Sequence, residues 1–154
     1  MIDIGDHLPE FEVQATDGTK VSSRALLGRL VVVYFFPRAF TPGCTRETKA
    51  FRDEYPGLAA AGAEIIGVST DSHVQQCKFA EWAGVTFPMI GDEHGELGRR
   101  FGVLWPIVGV PKRVTFVADP TGVVRHVFRH EIRIDAHVTD VLRAVEALRS
   151  ERRG

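Results

Sequence analysis

The chain has 154 residues, enough for one domain, residues 1–154, that buries about two-thirds of its unfolded surface. Hydrophobic residues make up 44% and charged residues 25%, and Lys+Arg 19 against Asp+Glu 20 leaves a net charge of −1. That is globular composition, with no pull toward nucleic acid or an anionic membrane. Two cysteines can neither staple a secreted scaffold nor complete a four-ligand zinc site.

In chain order, Phe11 and Val13 alternate with polar residues, and Thr16-Asp17-Gly18-Thr19 is a turn before Val21, which predicts an N-terminal hairpin. Ser22 and Ser23 suit the cap of a short helical turn ending near Gly28. Leu30 to Phe36 is a continuous β-branched and aromatic run. It reads as a strand buried on both faces and ended by Pro37. Thr41-Pro42 is a helix start, with Thr as N-cap and Pro at the first helical position. That helix is expected to bend at Pro56 and to stop at Gly62.

A second buried strand follows over Glu64–Ser69, then a helix capped by Asp71 or Ser72 and stopped by Gly84. Phe87–Ile90 reads as a short extended piece and His94–Phe101 as a short helix. Arg113–Ala118 and Val123–His130 flank the turn Asp119-Pro120-Thr121-Gly122 and form a second hairpin. Val138, Val141, Leu142, Val145 and Leu148 recur at helical spacing in a last helix from Asp135 to Ser150. Alternating strands and helices predict an α/β fold, a central sheet flanked by helices. No leader or spanning segment is visible, so the expected location is the cytoplasm, where cysteines are more often buried or reactive than bridged.

Cys44 falls in the first turn of the helix that follows the buried strand. Helix N-termini present unpaired N–H groups and a positive dipole end, which favour thiolate over thiol. A buried inert cysteine is the competing reading, but Pro42-Gly43 before it and Thr45-Arg46-Glu47 after it are polar loop and helix-start residues.

Pro37-x-x-x-Thr41-x-x-Cys44 resembles the active-site signature of peroxiredoxins. Thr41-Pro42-Gly43-Cys44-Thr45-x-Glu47 is similar to the subgroup called bacterioferritin-comigratory protein or PrxQ. Gly67 to Ser72, Phe87-Pro88, Gly91-Asp92 and Arg113 to Asp119 continue the resemblance along nearly the whole chain. It implies a thioredoxin-like fold with a central mixed sheet, and a thiol-dependent peroxidase that needs no cofactor or metal. It also implies Pro37, Thr41, Cys44 and Arg113 as the active-site set. Each has a plainer reading alone: Pro37 as a strand end, Thr41 as a cap, Arg113 as a surface cation. Their joint spacing around Cys44 favours the catalytic one.

The sequence departs from the subgroup at the second sulfur. Many members place a resolving cysteine five residues after the first, where this chain has Lys49; others carry it on the next helix, nearer position 80. Here the other cysteine is Cys77. It is read as closing an intramolecular disulfide with Cys44, reopened by thioredoxin or a similar reductant; the alternative is that it stands by while an external thiol resolves Cys44. A non-turnover redox sensor or binding module is the alternative of another class.

The implied partners are a peroxide and a thiol reductant, with monomer or homodimer left open. His7, His73, His94, His126, His130 and His137 read as solvated or structural, since His126 and His130 would lie about 13 Å apart along one strand. Arg125, Arg129 and Arg133 read as a solvated basic stripe, and Trp105 to Val108 as an apolar loop that walls the site, joins a dimer or simply packs.

Overall fold

The computed structural model describes residues 1–129 and 133–153. The predicted strand end at His130 lies outside them, as does the spacing of His126 from His130. Strands β1 (Glu12–Gln14) and β2 (Lys20–Ser22) pair antiparallel with Val13 opposite Val21, as the alternation predicts. Residues 23–28 form turns rather than a helix. The Ser22 hydroxyl does accept from the Ala25 N–H at 3.0 Å, so the expected cap is there without a helix to follow.

The central sheet holds β3 (Leu30–Phe35), β4 (Ala63–Ser69), β5 (Met89–Gly91), β6 (Val114–Ala118) and β7 (Val124–Phe128), in the order β5-β4-β3-β6-β7. The β3, β4 and β5 strands run parallel, while β6 runs antiparallel to β3 and β7 to β6. Every residue of β3 is buried, which explains its unbroken apolar run: a central strand has two dry faces.

On one face Leu30, Val32, Tyr34 and Phe36 meet three helices, α1 (Pro42–Ala60), α2 (His73–Ala83) and α4 (Ile134–Arg153). On the other Val31, Val33 and Phe35 pack on Phe11, Phe101 and Phe116. The N-terminal hairpin and α3 (Glu96–Phe101) cover that side. The α4 residues Val138, Val141, Val145 and Leu148 are buried, and Leu142 packs at the edge of the same core.

Helix ends follow the chemistry of their residues. α1 has Thr41 as N-cap and Pro42 in its first turn, and it continues through Pro56 as one element. α2 begins at Ser72, whose hydroxyl accepts from the Gln75 N–H at 3.1 Å, and ends at Gly84 in the left-handed conformation, φ 70°. Of the two expected caps, Ser72 takes the role, and Asp71 is left for another. The Asp119 carboxylate ties the β6–β7 turn by accepting from the Thr121 N–H at 2.9 Å and the Val123 N–H at 3.2 Å.

The architecture places the β3–α1 loop at the carboxyl end of a central strand. Open α/β sheets hold their sites there, because a helix N-terminus follows directly.

Candidate active site

Three connections fix the loop between β3 and α1. The Phe36 N–H donates to the Val68 carbonyl at 3.0 Å, extending the β3–β4 ladder by one residue. The Ala39 N–H donates to Asp71 Oδ2 at 2.8 Å, and the Ser69 hydroxyl donates to the same oxygen at 2.6 Å. Phe40 adopts φ 67°, a strained value for a residue with a side chain. Its ring rests 5.2 Å from that of Phe79 and 5.3 Å from that of Trp82, both on α2. Asp71 and the aromatic contact hold the loop at the height where the helix starts.

Thr41 and Pro37 are partly exposed in that loop. The Thr41 side chain makes no cap bond to its own helix. Its hydroxyl donates instead to the Arg38 carbonyl at 2.7 Å. That leaves the oxygen lone pairs, which a cap would have engaged, open to a donor.

Cys44 is 1% exposed, in the first turn of α1. The guanidinium of Arg113, 6% exposed just before β6, donates through Nη2 to the Cys44 sulfur at 3.4 Å and through Nη1 to Glu47 Oε1 at 2.6 Å. Burial works against the charged guanidinium, but the Glu47 carboxylate and Cys44 push its pKa up, and the net shift is upward. Arg113 is therefore a cation at every working pH, held by a carboxylate on one prong and aimed at sulfur by the other.

Glu47 is fully buried and completes the arrangement. It lies three residues after Cys44, on the same face of α1, which is what lets one guanidinium reach both. Its other oxygen, Oε2, is 3.6 Å from Nε2 of the fully buried His137 on α4. That nitrogen also meets Thr115 Oγ1 on β6 at 2.5 Å. Beside them Tyr34 donates to Thr48 Oγ1 at 3.1 Å, and burial holds its phenol well above the usual range, so it stays neutral.

Gly43 leaves room for the rest. A Cβ there would fall 2.9 Å from Ile134 Cδ1 and 3.3 Å from Arg113 Nη2. Its bare backbone lets the first turn of α4 and the guanidinium approach together.

The second cysteine has a different setting. The sulfur of Cys77 lies 3.5 Å from His73 Nε2 and 4.0 Å from the Thr16 carbonyl, beside the N-terminal hairpin. Phe79 and Trp82 form the flank of α2 that meets the active-site loop. Cys77 is two residues before Phe79, about 200° around the helix axis. Thus Cys44 and Arg113 are in contact, Pro37 and Thr41 share the Cys44 loop, and Cys77 lies on another side of its helix.

The family model described as AhpC/TSA family matches residues 4–127. The chain belongs to this family. Peroxiredoxin Q of rice (Oryza sativa subsp. japonica), a chloroplastic protein, is 35% identical over 145 residues, covering 94% of this chain and 67% of its own. The peroxidoxin BcpB of Mycobacterium tuberculosis superposes with a TM-score of 0.87 at 36% identity, covering 96% of this chain and 99% of that one. The bacterioferritin comigratory protein of Xanthomonas campestris, solved in connection with its alkyl peroxide reduction activity, gives a TM-score of 0.83 at 31% identity over 94% and 99%. The fold is thioredoxin-like with an added N-terminal hairpin, and the enzyme class is that of a thiol-dependent peroxidase of the peroxiredoxin Q group.

Sequence reasoning missed three members of the site. Glu47 carried a signal, since it ends the Thr41–Glu47 motif at helical spacing from Cys44. Asp71 lay within the Gly67 to Ser72 stretch of the resemblance but read there only as a cap, and His137 carried no signal, because their roles exist through contacts between distant elements. Arg125 lies at the surface and pairs with Asp119 at 3.4 Å and with Glu151 at 3.1 Å, which is compatible with the solvated stripe expected of it. Ile107 is fully exposed with φ 70°, so ordinary packing does not describe the tip of the Trp105–Val108 loop. Among the described residues no helix is long and apolar enough to cross a membrane, and no three His, Cys, Asp or Glu side chains gather as metal ligands.

Proposed function

We propose that Cys44 is the peroxidatic nucleophile, with Thr41, Arg113 and Pro37 around it, and that an external thiol completes its cycle. The contact of Arg113 Nη2 with the Cys44 sulfur carries this reading, because it sets a permanent cation on a buried sulfur at a helix start. The Cys44 thiolate attacks a peroxide oxygen. The S–O bond forms, the O–O bond breaks, sulfur is oxidised by two electrons, and the departing oxygen leaves as alcohol or water once protonated.

Ionisation alone is limited help. An unperturbed thiol is about 3% thiolate at pH 7, so full ionisation gains roughly 30-fold, about 2 kcal/mol. The larger part must come from groups that bind the oxygens as charge moves between them. Arg113 spreads that charge, the Gly43 and Cys44 N–H groups sit at the helix start, and the Thr41 hydroxyl accepts from the peroxide O–H. Pro37 shields the sulfur from water. Hydrogen peroxide and alkyl hydroperoxides are the substrates we assign, the second by analogy with the Xanthomonas relative.

A thiol then attacks the Cys44 sulfenic acid, releasing water and leaving a mixed disulfide. A second thiol, or the partner thiol of a thioredoxin-type dithiol, frees Cys44. The placement of Cys77 beside His73 and Thr16, off the flank of α2 that meets the loop, favours this route. The second reading, a Cys44–Cys77 disulfide, requires a Cα separation of about 4.4–6.8 Å and local unwinding of both helix segments. The partial exposure of Cys77 is what supports it. A reducing compartment such as the cytoplasm suits either route. Peroxide consumption by wild-type protein and C44S, with thioredoxin or a low-molecular-weight thiol as donor, tests the assignment: wild type turns over, C44S does not. Absence of wild-type turnover with every donor favours a sensor.

A further inference from the structure

We propose that His137 is a positioning residue of the active site, acting through Glu47 on Arg113, so that α4 helps set the reactivity of Cys44. The proposal rests on the peroxidatic reading of Cys44. It also stands on a chain of buried contacts that crosses three elements. His137 on α4 is fully buried, and its Nε2 is placed between Thr115 Oγ1 on β6 and Glu47 Oε2 on α1. Glu47 Oε1 in turn holds Arg113 Nη1, and Arg113 Nη2 reaches the Cys44 sulfur.

Each link has a direction. A carboxylate facing an imidazole lone pair would be repelled, so the Nε2 beside Glu47 carries the proton. The N–H then serves two oxygens: a hydrogen bond to the Thr115 hydroxyl, and an electrostatic contact with Glu47 at 3.6 Å. It fixes which oxygen of Glu47 is turned toward α4 and which toward Arg113. A carboxylate free to rotate would let the guanidinium swing, and a misplacement of about 1 Å at a reacting group can cost on the order of 100-fold. The Phe128 ring on β7 also lies edge-on to the imidazole, at 6.4 Å. Ile134, one turn earlier on α4, lies against Gly43, so the same helix meets the site twice.

The alternative is that His137 merely fills space in the core. Three variants of the full chain separate the two: H137F, which keeps volume and loses the donor; H137Q, whose amide N–H can reach the Nε2 position; and H137F combined with E47Q. Two readouts are taken on each, the second-order rate of peroxide reduction and the pH profile of Cys44 alkylation by iodoacetamide in C77S background. Alkylation does not need peroxidase chemistry, so it tests the positioning role even where the peroxidase reading fails.

H137F is expected to slow peroxide reduction about 10-fold and to move the alkylation midpoint to higher pH, because a small displacement of Arg113 from the sulfur is costly at a reacting group. H137Q is expected to recover most of both. In E47Q background H137F is expected to add little, because its path is already cut. Equal losses in H137F and H137Q, an unchanged profile in H137F, or full additivity with E47Q overturns the proposal. If H137F fails to fold, H137N, which fits the space but falls short of Glu47, takes its place with the same expected result.

Discussion

Two sulfurs sit on neighbouring helices of one small sheet protein, and their surroundings have little in common. Cys44 is sealed at a helix start, with a guanidinium at 3.4 Å and a buried carboxylate holding that guanidinium from behind. Cys77 is in the middle of a helix, partly exposed, with an imidazole at 3.5 Å and a carbonyl at 4.0 Å. The first environment sets a guanidinium N–H on the sulfur, which is what the proposed peroxidatic role requires. The second offers a thiol to solvent without a fixed cation. A cysteine count cannot separate them; what separates them is which backbone N–H groups and which charges the fold delivers.

The comparison is broken most severely by substituting the sulfurs themselves. C44S should abolish peroxide reduction, measured as peroxide loss with excess thiol, while leaving the fold intact by circular dichroism. Next comes the cation. R113Q should lower the second-order rate by about 100- to 1,000-fold, the usual scale for removing one donor that meets developing charge. It should also lower stability by about 3–5 kcal/mol in urea titration, because Glu47 is left as a buried charge without its principal partner.

G43A should have a smaller effect, about 10-fold in rate, since the added methyl displaces Arg113 Nη2 and Ile134 by tenths of an ångström. Stability should fall by about 1–3 kcal/mol in urea titration, because the methyl meets the buried Ile134 and a guanidinium already held by Glu47. The smallest effect belongs to the other sulfur. C77S should retain the wild-type rate within about 2-fold when a low-molecular-weight thiol is the donor, a surface-type substitution away from the charge network.

Much of the frame was legible. β3 announces itself because a central strand has no wet face, and the α1 start because Thr41 and Pro42 suit an N-terminus. The motif around Cys44, and Arg113 as its partner, were legible through resemblance, and the contact between them bears on both. Glu47 was half-legible, visible in the motif but not as a buried acid. His137 was not, since a histidine on an apolar helix face looks the same whether it meets a carboxylate or a phenyl ring. Asp71 looked like a cap because caps are local, whereas its bond to Ala39 joins residues on opposite sides of β4 and α1. The flank on which Cys77 lies depends on the rotation of α2 against the sheet, set by Phe79 in the core and Phe40 from the loop.

One measurement bears on the contrast directly: peptide mapping after a single equivalent of peroxide without reductant, with a sulfenic-acid trap and then a thiol alkylator. The account predicts one trapped oxygen adduct on the Cys44 peptide and an alkylated, unoxidised Cys77. A loss of two hydrogens with a linked Cys44–Cys77 peptide, or the adduct on Cys77, would contradict it.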